Sequence, residues 1–130
     1  MHILLIDHHK TTARLLGSKL DNSDIIDVAP NADLAINMAA ENNYDLVIME
    51  MSLEGHSGLE FLYEFKSYQD WIDIPIIVYS MLKLELEVVN SRAWQDLKII
   101  SYFYKPETSV DNLLSAINDC RPARNETVQH

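Results

Sequence analysis

Polar residues that could do chemistry follow four short apolar runs of the sequence. Asp7 and His8 follow the first run, Glu50 the third, Ser80 the fourth and Lys105 the fifth. If the runs are parallel strands of one sheet, their carboxyl ends lie along the same edge, where ligands of such sheets bind. The pattern therefore predicts that an acidic group, a hydroxyl and an ammonium converge in one site.

Five apolar runs alternate with helix-like stretches along the chain. The runs cover residues 2–7, 24–29, 44–50, 74–80 and 97–104. Three of them are almost unbroken aliphatic, which is typical of central strands of a parallel sheet covered on both faces. The alternation predicts an α/β fold with an open, doubly wound, five-stranded parallel sheet.

The stretches between the runs predict amphipathic helices. They begin near Thr11, Asn31, Ser57, Leu82 and Ser109. We expect Leu34 and Tyr68 to belong to the buried faces of the second and third helices. Residues 82–89 alternate with period two like a strand, but a helical crossover is needed there, so we predict a helix.

Length and composition limit the classes of protein to which this chain can belong. The 130 residues predict one domain at 1–120, with 121–130 as a flexible tail or the start of a linker. A net charge of −10 argues against nucleic-acid binding, and no apolar run is long enough to span a membrane. The apolar start runs directly into Asp7, so we expect no secretory signal. With Cys120 as the only cysteine, we expect a cytoplasmic protein.

Three segments resemble the receiver domains of response regulators in two-component signalling. YDLVIMEMSLEGHSGLE is similar to the phosphoacceptor strand and its loop, IPIIVYS to the fourth strand, and YFYKP to the end of the fifth strand. The likeness covers residues 1–120 approximately. Each motif alone is a weak indication of the family, but the three together, in this order and spacing, are a strong one. It implies a flavodoxin-like (βα)5 fold with strand order 2-1-3-4-5.

The resemblance implies a role for each matching residue. Asp7 corresponds to one member of the family's acidic pair, Ser80 to the phosphate-binding hydroxyl, and Lys105 to the lysine that contacts the phosphoryl group. Tyr102 corresponds to an aromatic that moves between exposed and buried rotamers, and Gly58 to the glycine that opens the third helix.

The sequence departs from the family where the chemistry is most demanding. Glu50 stands in place of the phosphoacceptor aspartate, His8 in place of the second acid, and Glu54 in place of a loop proline. The Gly-Ala-Asp-Asp segment before the fifth strand is missing. The Lys105–Pro106 peptide bond is expected to be cis, as is usual in the family.

These departures weaken both the nucleophile and the metal site. The glutamate carboxyl lies about 1.5 Å further out, and misplacements of about 1 Å can cost a hundredfold in rate. Imidazole is a poor ligand for Mg²⁺. We therefore expect no cofactor and no bound metal; if a metal does bind, its ligands would be Asp7, Glu50 and the backbone of Met51.

The longer carboxylate of Glu50 could instead reach toward Ser80 and Lys105 and partly mimic a phosphoryl group. The resulting hypothesis is a pseudo-receiver: a non-catalytic signalling module that is not phosphorylated. Its partner would be a signalling protein or a second copy, bound at the face of the fourth helix, fifth strand and fifth helix. That face covers residues 83–95 and 99–119 approximately.

Other interpretations remain open from the sequence. The domain could be a working receiver that takes phosphate on Glu50 or a neighbour and controls an output domain, for example a transcriptional one. A flavodoxin-like enzyme is a third alternative, although no glycine precedes Gly17 in the first loop. Glu50 and Lys105 could be a structural ion pair, and Tyr102 a static core residue. The tryptophans could cover the core ends or anchor a partner.

Overall fold

Five parallel strands form one sheet in the order β2-β1-β3-β4-β5 in the computed structural model, which describes residues 1–55 and 57–122. The strands are β1 His2–Ile6, β2 Ile25–Ala29, β3 Leu46–Met49, β4 Ile76–Ser80 and β5 Ile99–Tyr104. The helices are α1 Lys10–Gly17, α2 Ala32–Glu41, α3 Gly58–Ser67, α4 Leu86–Val89, α5 Arg92–Asp96 and α6 Val110–Asp119, with a 3-10 turn at Lys105–Glu107. The predicted fold and strand order are confirmed.

The sheet separates two apolar clusters. β1, β3 and β4 are buried along almost their whole length, as their aliphatic sequences predict. Alternate strand residues pack against α2, α3 and α5 on one face and against α1 and α6 on the other. The buried strands therefore fix the carboxyl edge of the sheet as a rigid platform.

The predicted fourth helix is wrong over its first half. Residues 82–85 are not helical, and the crossover contains two short helices, α4 and α5. The amide of Met81 donates to Glu50, and the amide of Leu82 donates to the Ser80 hydroxyl at 2.9 Å. Because these amides are bound to the polar edge, the chain turns helical only at Leu86.

Two residues expected in the core are exposed. Leu34 is 43% exposed because the buried stripe of α2 consists of Ala32, Ala35 and Ala39 instead. Tyr68 is 45% exposed because α3 ends at Ser67 and the chain is extended at the next residue.

The Lys105–Pro106 bond is trans, contrary to expectation, since the part of the chain that the structure describes has no cis peptide bond. Pro106 lies inside the 3-10 turn Lys105–Glu107, where its restricted φ is compatible with the turn. None of the described helices has the length and apolar character needed to cross a membrane.

The end of the described chain is held by an ion pair. Arg121 donates to both carboxylate oxygens of Asp24, at 2.8 and 2.7 Å. Residues 123–130, which form most of the predicted tail, lie outside the described residues.

Candidate functional site

Four of the predicted site residues meet at the carboxyl edge of the sheet. Asp7 follows β1, Glu50 follows β3, Ser80 ends β4 and Lys105 follows β5. Asp7, Glu50 and Ser80 are each at most 2% exposed. We call these four residues the Glu50 cluster.

The Glu50 carboxylate is surrounded by hydrogen-bond donors. Its Oε2 accepts from the Ser80 hydroxyl and from the Ser52 amide at 3.1 Å. Its Oε1 accepts from the Met81 amide at 3.0 Å and from Lys105 Nζ at 3.1 Å. Hydroxyl, backbone and ammonium donors thus converge on one buried anion, and both of its oxygens are engaged.

The backbone around Glu50 is fixed from both sides. Its amide donates to the Ile6 carbonyl at 2.9 Å, which continues the pairing of β3 with β1. Further along, the Gly58 amide donates to the Met51 carbonyl at 3.0 Å. A Cβ atom at Gly58 would lie 2.6 Å from the Met51 Cα, so only glycine allows α3 to begin against this loop.

Asp7 is bound by donors from three elements. Its Oδ2 accepts from Lys105 Nζ at 2.7 Å and from the Thr12 hydroxyl at 3.2 Å, and its Oδ1 accepts from the His9 amide at 2.9 Å. Thr12, which is buried in the first turn of α1, is a partner of Asp7 that the sequence did not predict. Its position five residues after the acid that follows β1 could have indicated it.

The electrostatics of the Glu50 cluster favour the charged forms. Burial alone would raise the pKa of Glu50, but the bonds from Ser80, from the two backbone amides and from Lys105 hold it below its usual value. Burial would lower the pKa of Lys105, but the carboxylates of Asp7 and Glu50 raise it. These shifts favour the carboxylate of Glu50 and the ammonium of Lys105. The formal charges of Asp7, Glu50 and Lys105 sum to −1.

His8 does not join this hydrogen-bonded cluster. Its Nδ1 is buried and has no hydrogen-bond partner among the described residues, and its ring centroid lies 4.0 Å from that of His9. His2 is placed elsewhere and pairs with Asp27 at 2.7 Å. Within residues 1–55 and 57–122, no three His, Cys, Asp or Glu side chains form a metal-ligating group.

Tyr102 connects the Glu50 cluster to the irregular segment after β4. Its hydroxyl donates to the Leu82 carbonyl, and its ring packs 5.9 Å from that of Trp94. Burial raises the pKa of Tyr102. Trp94 is only 6% exposed, so of the two interpretations the structure favours core packing for it.

Apolar side chains are exposed in this segment, in α4 and in β5. They are Met81, Leu82, Leu86, Val88 and Ile100, of which Leu86 is 76% exposed. We call this set the α4–β5 surface. It includes Met81, whose amide donates to Glu50.

Comparison with known proteins gives one family and many structures of the same fold. The model of the response regulator receiver domain family matches residues 3–118. Chemotaxis response regulator CheY4 of Vibrio cholerae is 15% identical with a TM-score of 0.76, covering 92% of this chain and 98% of that one. The response regulator TrrA of Thermotoga maritima, solved in complex with Mg²⁺-BeF, is 26% identical with a TM-score of 0.74 and the same coverage.

A curated relative adds a longer protein to the comparison. Protein-glutamate methylesterase/protein-glutamine glutaminase of Trichodesmium erythraeum (strain IMS101) is 28% identical over 83 residues, which is 62% of this chain. The match covers 23% of that relative, so the chain aligns with about a quarter of its length.

Proposed function

Because this chain belongs to the response regulator receiver domain family of two-component signalling, we propose that it is a pseudo-receiver whose phosphate position is filled by its own Glu50. Receiver domains are signalling domains rather than enzymes, and they act on partner proteins or output domains. In our proposal the domain is not phosphorylated, and its signal is carried by protein–protein interaction.

The observation that carries the proposal is the set of donors on the Glu50 carboxylate. Ser80 and Lys105 match the family residues that hold the phosphoryl group, and both donate to Glu50. The Met81 amide donates to the same carboxylate. The extra methylene of glutamate extends its carboxylate toward these donors, where a phosphoryl oxygen would otherwise be bound.

The Glu50 carboxylate mimics only part of the charge of a phosphoryl group. A carboxylate carries one negative charge, whereas a phosphoryl group carries nearly two near neutral pH. The Glu50 cluster is nevertheless satisfied, since every oxygen of Asp7 and Glu50 accepts at least one hydrogen bond. This supports a domain held in one state rather than one that waits for a phosphoryl group.

The donor set does not fit Mg²⁺. A hard divalent cation needs several free oxygen ligands in octahedral geometry. Here Lys105 contacts both carboxylates, the Met51 carbonyl accepts from Gly58, and an imidazole stands at position 8. Related structures have been solved with Mg²⁺ or Mn²⁺, so this loss of metal binding is proposed as a property of the present chain.

Intact-mass measurement after incubation with acetyl phosphate and Mg²⁺ tests the proposal. We expect no phosphoryl adduct on the protein. The matched control is the double variant Glu50→Asp with His8→Asp, which restores the family's acid types and is expected to regain some Mg²⁺ affinity. Stoichiometric phosphorylation of the unmodified protein would contradict the proposal.

The working receiver is the second candidate. The family match and the Mg²⁺-BeF complex of TrrA favour it. In that case Glu50 or a neighbour would accept the phosphoryl group from a histidine kinase, and an output domain would respond. The same mass measurement separates the two candidates.

The α4–β5 surface is our proposed contact for a signalling partner or a second copy. Glu50 and Ser80 hold the amides of Met81 and Leu82, and Tyr102 holds the Leu82 carbonyl. The carboxylate thereby fixes the segment that leads into this surface. A cytoplasmic location remains part of the proposal.

Leu86→Ser tests the α4–β5 surface because Leu86 is largely exposed. We expect the variant to lose binding to its partner, or self-association measured by light scattering, with unchanged thermal stability. Glu64→Ser, at an exposed position of α3, is the control and should retain association. Equal association of wild type and Leu86→Ser would place the contact elsewhere.

A further inference from the structure

A cavity lies at the edge of the sheet opposite the Glu50 cluster, between the C-terminal ends of α2 and α3. Its volume is about 610 Å³, within the usual range of ligand sites. The residues that line it include Tyr68, Trp71, Glu41, Asp70 and Ile36. None of them belongs to the Glu50 cluster or to the α4–β5 surface. We call it the α2–α3 cavity.

Aromatic rings form one wall of the α2–α3 cavity. The Tyr68 and Trp71 ring centroids lie 4.6 Å apart, and Trp71 stacks on Phe65 at 4.9 Å. Phe65 in turn stacks on the buried Phe61. Trp71 is therefore supported by core aromatic rings, while Tyr68 remains 45% exposed. Such rigid aromatic faces attract cations through their ring quadrupoles.

Negative charge borders the same space. Neither Glu41 nor Asp70 has a hydrogen-bond or ion-pair partner among the residues that the structure describes. Both are exposed. Lys66 is the nearby base, but its Nζ donates to the backbone carbonyls of Ile72 and Ile74, and it does not line the cavity.

The end of α2 adds to this negative potential. The last turn of α2 lines the cavity, and a helix C-terminus carries partial negative charge. An acid in that turn is unfavourable for the helix, yet Glu41 stands there and no basic residue accompanies it. Helix stability therefore does not favour Glu41 at this position.

We propose that the α2–α3 cavity binds the guanidinium group of an arginine side chain presented by a partner protein. A guanidinium is planar, stacks on aromatic faces and pairs with carboxylates through its fork of N–H donors. The cavity offers a Tyr68–Trp71 wall for stacking and Glu41 and Asp70 for pairing. The net charge of −10 supports the approach of a basic partner.

Nuclear magnetic resonance of the tryptophan indole groups can test this with a tripeptide, acetyl-Gly-Arg-Gly-amide. We expect a saturable shift of the Trp71 signal and little change at the buried Trp94. The matched peptide carries citrulline, which keeps the shape of arginine without its charge. It should bind about tenfold more weakly or not at all, as expected when the ionic and cation–π contacts are lost.

Variants of the residues that line the cavity test whether the arginine peptide binds there. Glu41→Gln with Asp70→Asn should weaken arginine binding about tenfold, because both carboxylates are removed. Glu64→Gln, an exposed acid outside the cavity, should leave binding unchanged. Equal effects of these variants would show a general charge effect and overturn the site.

Two further outcomes overturn the proposal. Equal binding of the arginine and citrulline peptides, or no saturable shift, would exclude a guanidinium site. Tighter binding of free agmatine than of the tripeptide would point to a small-molecule cation instead of a partner segment. None of these outcomes depends on Glu50. The arginine site can therefore be rejected while the pseudo-receiver proposal stands, and the reverse also holds.

Discussion

Two clusters of charge lie at opposite edges of the sheet and are built in opposite ways. In the Asp24 cluster, one carboxylate meets two cations: Arg121, and the α-amino group of Met1 at 3.1 Å. In the Glu50 cluster, two carboxylates meet the single ammonium of Lys105. The first has an excess of positive charge and the second an excess of negative charge.

This difference distinguishes a structural clamp from the functional site that we propose. The Asp24 cluster joins the start of β1, the start of β2 and the end of α6, and its donors are all charged. The Glu50 cluster supplements its cation with a hydroxyl and backbone amides. Donors of that kind form a cradle for an anion, and here a side chain of the protein occupies it.

Lys105→Met should have the largest effect, because it leaves Asp7 and Glu50 buried together without a cation. Removing one partner of a buried ion pair costs about 3–5 kcal/mol, and we expect a loss of that size in the free energy of unfolding. Urea denaturation at pH 7 measures it. A loss below about 1 kcal/mol would mean that the ammonium behaves like a surface charge.

Asp24→Asn should cost less, about 2 kcal/mol at pH 7, because Arg121 is partly exposed and can be hydrated again. Hydrogen bonds from Arg121 lower the pKa of Asp24 from 3.8 to about 2. A lowered pKa gives stability that is present above the unfolded value and is lost as the pH falls through the folded value.

The difference between wild type and Asp24→Asn should therefore shrink as the pH falls from about 4 to about 2. Urea denaturation at several pH values gives this profile. A constant difference over that range would show that Asp24 contributes through packing and not through its charge.

The sequence was sufficient to predict the fold and the four members of the Glu50 cluster. Strand burial and the βα alternation determine the sheet, and parallel strands place Asp7, Glu50, Ser80 and Lys105 at one edge. Each of these residues directly follows or ends an apolar run, so position alone identifies it.

Contacts that depend on the backbone or on distant segments could not be predicted. The break before α4 arises from two amides bound to Glu50 and Ser80, and a period-two pattern does not contain that information. Asp24 and Arg121 are 97 residues apart, and no motif relates them. The exposure of Tyr68 depends on where α3 ends, which local periodicity leaves uncertain by a few residues.

Amide nuclear magnetic resonance of Met81, during titration with Mg²⁺ and beryllofluoride, tests whether Glu50 fills the phosphate position. Because Glu50 already holds the Met81 amide and the Ser80 hydroxyl, we expect no saturable change of the Met81 signal. A stoichiometric, saturable shift that requires both Mg²⁺ and beryllofluoride would show that the position is free for a phosphoryl analogue and that the domain is not a pseudo-receiver.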